Sequence, residues 1–415
     1  MKAKGLLVLV LALLTFGYAQ TEVVWWDFLG GGDGIRMKKL IDDFNASNDD
    51  IKINATTLEW GPPFYTKVQT SVAVGESPDI MTYHVSRFPL GVQGNVLRPI
   101  TDEELASVGL SKSDYPANLI EAMTYDGNLY GVPLDIHSVV LYYNKEILGA
   151  AGLLGDDGLP TFEGLESFNA GMQIIKDAGS IPLALPGDEG TIWRTFYSLF
   201  NQQEGAQFIT NNQVTLGEQG KVALQTITDW ISNGYAPGNT AYGDAIALFT
   251  SSQAAMMING VWEVPTMVDL AAKGELFDWG AIRIPVLFDK PATWADSHAF
   301  AIPNDAKKPI TPEKLAAVLE VISWINKNSL FWATAGHIPA YNPVTASDDY
   351  KMMEPNATYA VLAETAVFDP QSTATGVASP TYDAVLNIFV PSINGQLPVD
   401  QALEMFSQQV SSNMQ

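Results

Sequence analysis

Four histidines, His84, His137, His298 and His337, are the only imidazoles in the chain, and there is no cysteine. No two of the histidines share a short local spacing that would define a metal site. Spacing therefore predicts no bound metal, and each histidine is expected to be an ordinary hydrogen-bonding residue. Lack of cysteine removes disulfides, thiol nucleophiles and Cys-ligated zinc together. Neither a G-x-S-x-G elbow nor an H-E-x-x-H helix occurs. With 46 acidic residues some carboxylate pair will always look arranged for glycoside hydrolysis, so that signal discriminates nothing. The cluster Gly30-Gly31-Gly32-Asp33-Gly34 lacks the Lys-Ser/Thr ending of a phosphate loop and the spacing of a dinucleotide fingerprint. It reads instead as a loop at a helix start, its backbone N–H groups facing a neutral or anionic ligand.

The chain has ten tryptophans. Trp230 lies in an apolar helical stripe with Leu224 and Ile227, and Trp324 stands beside Ile322 and Ile325, so both are expected in a core. Trp193 follows Gly190, Trp262 follows Asn259-Gly260, and Trp294 precedes Asp296-Ser297-His298. These three stand in or beside loop signals. A ring presented from a loop suits the apolar face of a sugar, with neighbouring polar groups taking the hydroxyls.

The elements that must position these residues alternate. Val23 to Trp26 is a β-branched and aromatic run, the glycine loop follows, and Met37, Leu40, Ile41 and Phe44 recur at helical spacing. Ile51 to Thr56 reads as a second strand, Phe64 to Val74 as a helix ending near Gly75, and Asp79 to Tyr83 as a third strand. The alternation predicts a doubly wound α/β sheet with ligand loops at the strand carboxyl ends. Val222 to Ile231 and Leu315 to Ile325 read as helices, Ala254 to Ile258 and Ala299 to Ile302 as strands. No long linker divides the chain. Yet 415 residues exceed what one hydrophobic core organises, so two units are expected.

Formal net charge is −24, the wrong sign for nucleic acid, which needs clustered Lys and Arg. Residues 1–19 read as a signal peptide: a basic start at Lys2 and Lys4, an apolar run from Gly5 to Phe16, and small residues to a cleavage site near Ala19. The run is shorter than the roughly 20 residues of a membrane-spanning helix. The mature chain is then expected to begin at Gln20 and, without a cysteine to carry lipid, to diffuse freely in a periplasm.

Six segments in order carry a family resemblance. They are Val23 to Gly34; Gly75-Glu76-Ser77-Pro78-Asp79-Ile80; Asp126 to Pro133 leading to Tyr142-Tyr143-Asn144-Lys145; Ala254 to Trp262; Gly336-His337-Ile338-Pro339-Ala340; and Asn394-Gly395-Gln396. In these the chain resembles the extracellular solute-binding proteins of ABC sugar importers, the group that includes maltose-binding protein. The resemblance implies a periplasmic-binding-protein-like fold of two doubly wound α/β lobes with a hinge and a ligand cleft between them. The lobes would comprise residues 20–134 with 299–340, and 135–298 with 341–415, with crossings near Pro133 to Asp135, near His298 and around Ala340. It also implies a monomeric receptor without catalysis or cofactor, which binds a mono- or oligosaccharide and docks on membrane permease subunits. Ligand-binding positions carried over are Trp26 and Asp27 at the end of the first strand, then Tyr83, His84 and Arg87, then Trp193 and Trp262 as aromatic platforms. Asp135, His137, Asp296 and His298 would stand at the crossings, and Tyr341 just after the last. His137 replaces a carboxylate of maltose-type receptors, a departure from maltodextrin specificity. Such crossings would also bring all four histidines near the cleft. Two alternatives stay open: a receptor for a polyol, peptide or phosphorylated compound, and a secreted glycoside-acting enzyme.

Overall fold

The structure, a computed structural model, describes residues 20–414; the signal peptide expected at residues 1–19 lies outside the described residues. Two main sheets organise the chain. The first has five strands, in spatial order Ile51–Thr57, Thr21–Asp27, Ile80–His84, His298–Ala301 and Val132–Pro133. Its first three strands are parallel, as crossover helices require. In Thr21–Asp27 every second residue turns inward, burying Val23, Trp25 and Asp27. The helix Gly31–Ser47 covers the sheet with Met37, Leu40, Ile41 and Phe44, one apolar stripe at helical spacing. Phe44 and Trp324, on the later helix Pro312–Lys327, meet edge-on at 5.5 Å between centroids, so Trp324, expected in a core, is half-buried and packs against one.

The second sheet is built around Asp135–Asn144, a strand buried at all ten residues. Ala254–Gly260 and Trp279–Arg283 pair along it, Thr293–Asp296 pairs at its start, and Ile181–Ala184 and Ala366–Phe368 lie outside these. Uninterrupted burial explains why this strand shows no polar–apolar alternation. Trp230 is buried in the helix Gly217–Ser232, beside Phe168.

Two connections between the sheets are a single residue long. Leu134 separates Val132–Pro133 in the first sheet from Asp135–Asn144 in the second, and Ser297 separates Thr293–Asp296 from His298–Ala301. They run side by side, with the Leu134 N–H donating to His298 O at 2.8 Å. Ile338–Pro339 then pairs with Ile136 and Asp135, and the Ala340 N–H donates to Leu134 O at 3.0 Å, making a third crossing. Among the described residues no helix is long and apolar enough to cross a membrane.

Candidate functional site

Where the lobes face each other above these crossings lies a cleft of about 620 Å³. One wall comes from the glycine turn. Asp27 Oδ1 accepts the Leu29 N–H at 2.9 Å and turns the chain, and Gly31, at φ +52°, begins the helix Gly31–Ser47 inside the glycine cluster itself. No side chain caps that helix, so its first N–H groups are left toward the cleft beside Phe28, Leu29 and Asp33.

The opposite wall is aromatic and cationic. Trp262 follows Gly260, and a Cβ at Gly260 would lie 2.1 Å from the Trp262 ring, so only glycine lets the ring fold back at this turn. Trp262 Nε1 donates to Tyr242 Oη at 2.8 Å, and Tyr242 Oη donates to Glu263 Oε1 at 2.7 Å, which fixes the ring plane. Arg194 is sandwiched between Trp262 and Trp294, its guanidinium 4.8 and 4.6 Å from the ring centroids. Arg194 is buried and forms no salt bridge among the described residues. Asp188, which caps the helix Glu189–Asn201 through the Thr191 N–H at 2.9 Å, and Tyr382 also line this side.

The floor holds all four histidines. His84 and His298 are directly opposite each other in the first sheet, and His137 lies opposite Asp296 in the second. Asp135, wholly buried, accepts four N–H groups: His298 N at 3.0 Å, His298 Nδ1 at 2.8 Å, Trp332 Nε1 at 2.8 Å and His137 Nδ1 at 3.1 Å. Burial alone would raise its carboxyl, but His298, His337 and these donors hold it well below the usual carboxylate range. Burial pushes His84 well below its ordinary value, with His298 and His137 adding to the effect, and it pushes His137 to about 3, so both imidazoles are neutral. With its Nδ1–H given to Asp135, neutral His137 keeps its lone pair on Nε2, and His298 also faces Asp135 through Nδ1. His84 stacks on Phe28 at 4.4 Å and has its Nδ1 2.6 Å from Tyr65 Oη. His337 stacks on Trp332 at 4.9 Å, with Nε2 3.1 Å from Asp33 Oδ1.

Of the residues expected at the ligand, His84, His137, Trp262 and His298 line the cleft, Asp135 orients two of them from below, and the rest stand elsewhere. Trp193 is a correction. Asp188 starts a helix there, so Gly190 lies within the first turn and Trp193 points into the core, wholly buried, with its Nε1 donating to Asp369 Oδ1 at 2.8 Å. Trp294, on a fully buried strand, is likewise no loop-presented ring. Arg87 is buried over Tyr65, and one of its terminal nitrogens donates to Ala378 O at 3.1 Å, tying the lobes together. Asp296 accepts from Ser86 N at 3.0 Å and Ser86 Oγ at 2.6 Å, another tie across the crossing. Tyr83 is buried against Tyr65 and Phe88. Trp26 lies under Lys67, Asp27 shapes the turn, and Tyr341 faces Tyr115, all outside the cleft. All four histidines stand together at the cleft, where the family resemblance placed them, because strand pairing joins what local spacing keeps apart. Asp33, Asp188, Tyr242, Glu263 and Tyr382 were missed; only Asp188 carried a local sign, as a helix-capping residue.

Two lobes around a cleft, joined by side-by-side crossings, define a solute-receptor fold. The chain belongs to the family described as bacterial extracellular solute-binding protein, whose pattern it matches over residues 39–358. It is 25% identical to the lactose-binding protein of Rhizobium radiobacter over 297 residues, 68% of this chain and 65% of that one. It is 23% identical to the arabinooligosaccharide-binding protein of Bacillus subtilis over 258 residues, 60% of this chain and 57% of that one. The chain thus spans less than two thirds of the length of either relative. Its fold is similar to the GacH receptor of Streptomyces glaucescens, solved unliganded and with acarbose, with a TM-score of 0.78 at 17% identity over 95% of this chain and 99% of that one.

Proposed function

We propose that this protein is a periplasmic sugar receptor that binds a mono- or oligosaccharide between its lobes, carries out no chemistry on it, and delivers it to the permease of an ABC importer. The observation that carries this reading is the pairing of a fixed aromatic face, Trp262, with the imidazoles of His137 and His298 in one cleft. A sugar needs both: a flat apolar surface for its C–H face and placed acceptors and donors for its hydroxyls. The lactose- and arabinooligosaccharide-binding relatives favour the same ligand class. We place the lobes at residues 20–134 with 299–340 and 135–298 with 341–415, a division supported by the single-residue crossings at Leu134 and Ser297. Ligand contact with both lobes would shift the equilibrium toward closure and present a two-lobed surface to the permease.

A second reading rests on Arg194. A buried guanidinium in a cleft with no carboxylate paired to it suits a ligand with a carboxylate or phosphate group. A thermal-shift screen of the mature protein against neutral sugars, sugar acids, sugar phosphates and polyols separates the two, since any ligand of the native state raises stability by mass action. Stabilisation by one neutral sugar class without product formation supports the first reading. Stabilisation by anionic compounds alone replaces it with the second, and turnover of a glycoside refutes both.

A further inference from the structure

We infer that the floor of the cleft is a binding site for one divalent transition-metal ion, held by His84, His137 and Asp296 and oriented from below by Asp135. A ligand atom from each of the three residues lies within 4.8 Å of the others, and all three side chains are buried. Each is already held by an outer partner, as metal ligands are. Asp135 takes the Nδ1 proton of His137, Tyr65 Oη lies 2.6 Å from Nδ1 of His84, and the two Ser86 groups and the Ser297 N–H hold Asp296. In His137 this leaves Nε2 to bind, and His84 would offer Nε2 in the tautomer whose Nδ1–H is donated to Tyr65 Oη. A carboxylate–histidine pair such as Asp135–His137 fixes the tautomer and makes the free nitrogen a stronger donor.

The His298 ring lies 4.3 Å from His137 and 5.1 Å from His84, and its Nδ1 is bound to the same Asp135, so it stands beside this position as a third imidazole. Zinc–nitrogen bonds of about 2.0–2.1 Å give ligand–ligand edges of about 3.3 Å in a tetrahedral site. From 4.8 Å that asks each ligand atom to move inward by less than about 1 Å, within the swing of a side chain. Around the floor the cleft presents Asp33, Asp188, Glu189 and Glu263 against one guanidinium, a field that attracts a cation. An ion here would keep open positions toward the cleft, where hydroxyl groups of a bound solute could complete its coordination.

The composition makes the test clean. With four histidines and no cysteine in the whole chain, imidazole ligation of a metal has to pass through this cluster and thiolate ligation is ruled out. Chelator-treated full-length protein, made without a histidine tag, is titrated with Zn²⁺ by calorimetry and by equilibrium dialysis with elemental analysis, in the absence of any carbohydrate. One Zn²⁺ per chain is expected, with visible absorption bands of nitrogen-ligated, four- or five-coordinate Co²⁺ when cobalt is substituted. Binding should be lost in His137→Ala and weakened about 10–100-fold in Asp135→Asn. The cobalt spectrum uses the unaltered protein, so it decides the matter even where a variant fails to fold. Absence of a stoichiometric site in the unaltered protein, or equal binding by a folded His137→Ala, overturns the inference. A failed sugar screen leaves it standing, because the metal alone is the probe.

Discussion

Asp369 gives a sharp test of the physical chemistry beneath the cleft. Its side chain is buried, Oδ1 accepts from Trp193 Nε1 at 2.8 Å, and Oδ2 has no hydrogen-bond partner among the described residues. Burial, with Asp296 adding to it, pushes this carboxyl from 3.8 up to about 7. A folded state that holds its proton more tightly than the unfolded chain is favoured by that group at low pH. The contribution is complete below pH 3.8 and is lost as the pH rises toward 7. About three pKa units at 1.36 kcal/mol each amount to about 4 kcal/mol. Asp369→Asn cannot ionise and keeps an oxygen for Trp193, so this slope should vanish from the variant. The new amide leaves N–H groups unpaired, a constant offset of about 1–3 kcal/mol that does not change with pH. Burial pushes His84 and His137 down, so their contribution runs the other way and is lost as the pH falls below 6.5, but it is the same in both proteins and cancels in the difference. Urea unfolding of the two proteins at half-unit steps from pH 4 to 8 is the assay. The stability difference, wild type minus variant, should fall by about 4 kcal/mol across that range. A difference constant to within about 1 kcal/mol would refute the reasoning.

Three further outcomes follow from the geometry. Trp262→Ala removes the fixed ring of the cleft wall and should raise the Kd of the sugar found by screening about tenfold to a hundredfold, read by calorimetry on the folded variant. Gly336→Ala forces a Cβ to 1.9 Å from Val261 O at a φ of +90°, so chemical denaturation should show a loss of more than about 3 kcal/mol, or no folded protein at all. Asp135→Asn turns an acceptor of four N–H groups into one that can serve only some of them, and should cost about 3 kcal/mol or more in urea unfolding at pH 7.

Elements with a strong period were legible in the sequence. The stripe of Met37, Leu40, Ile41 and Phe44 gave its helix, and Val23 to Trp26 its strand, because each pattern is local. Trp193 was misread for a local reason too: Gly190 looked like a loop, but Asp188 caps a helix whose first turn contains that glycine. The fully buried strand Asp135–Asn144 has no alternation to detect, and its Tyr142 to Asn144 end stood out only through the family resemblance. Convergence of the histidines depends on the pairing of His84 with His298 and of His137 with Asp296. Such register is set by the whole sheet, and no spacing along the chain expresses it.

Strand order also sets a timetable. His298–Ala301 lies between Ile80–His84 and Val132–Pro133, so the first sheet is missing an interior strand until the chain between Asp135 and Asp296, which holds most of the second sheet, has been synthesised. Ser86 and Asp296, which join across that seam, are 210 residues apart. Closing so long a loop is entropically costly and slow, and the nascent first lobe has no partner strand with which to finish early. The strand that ends the delay is the one that carries His298 to the cleft, so the floor of the cleft cannot be complete before the first sheet is.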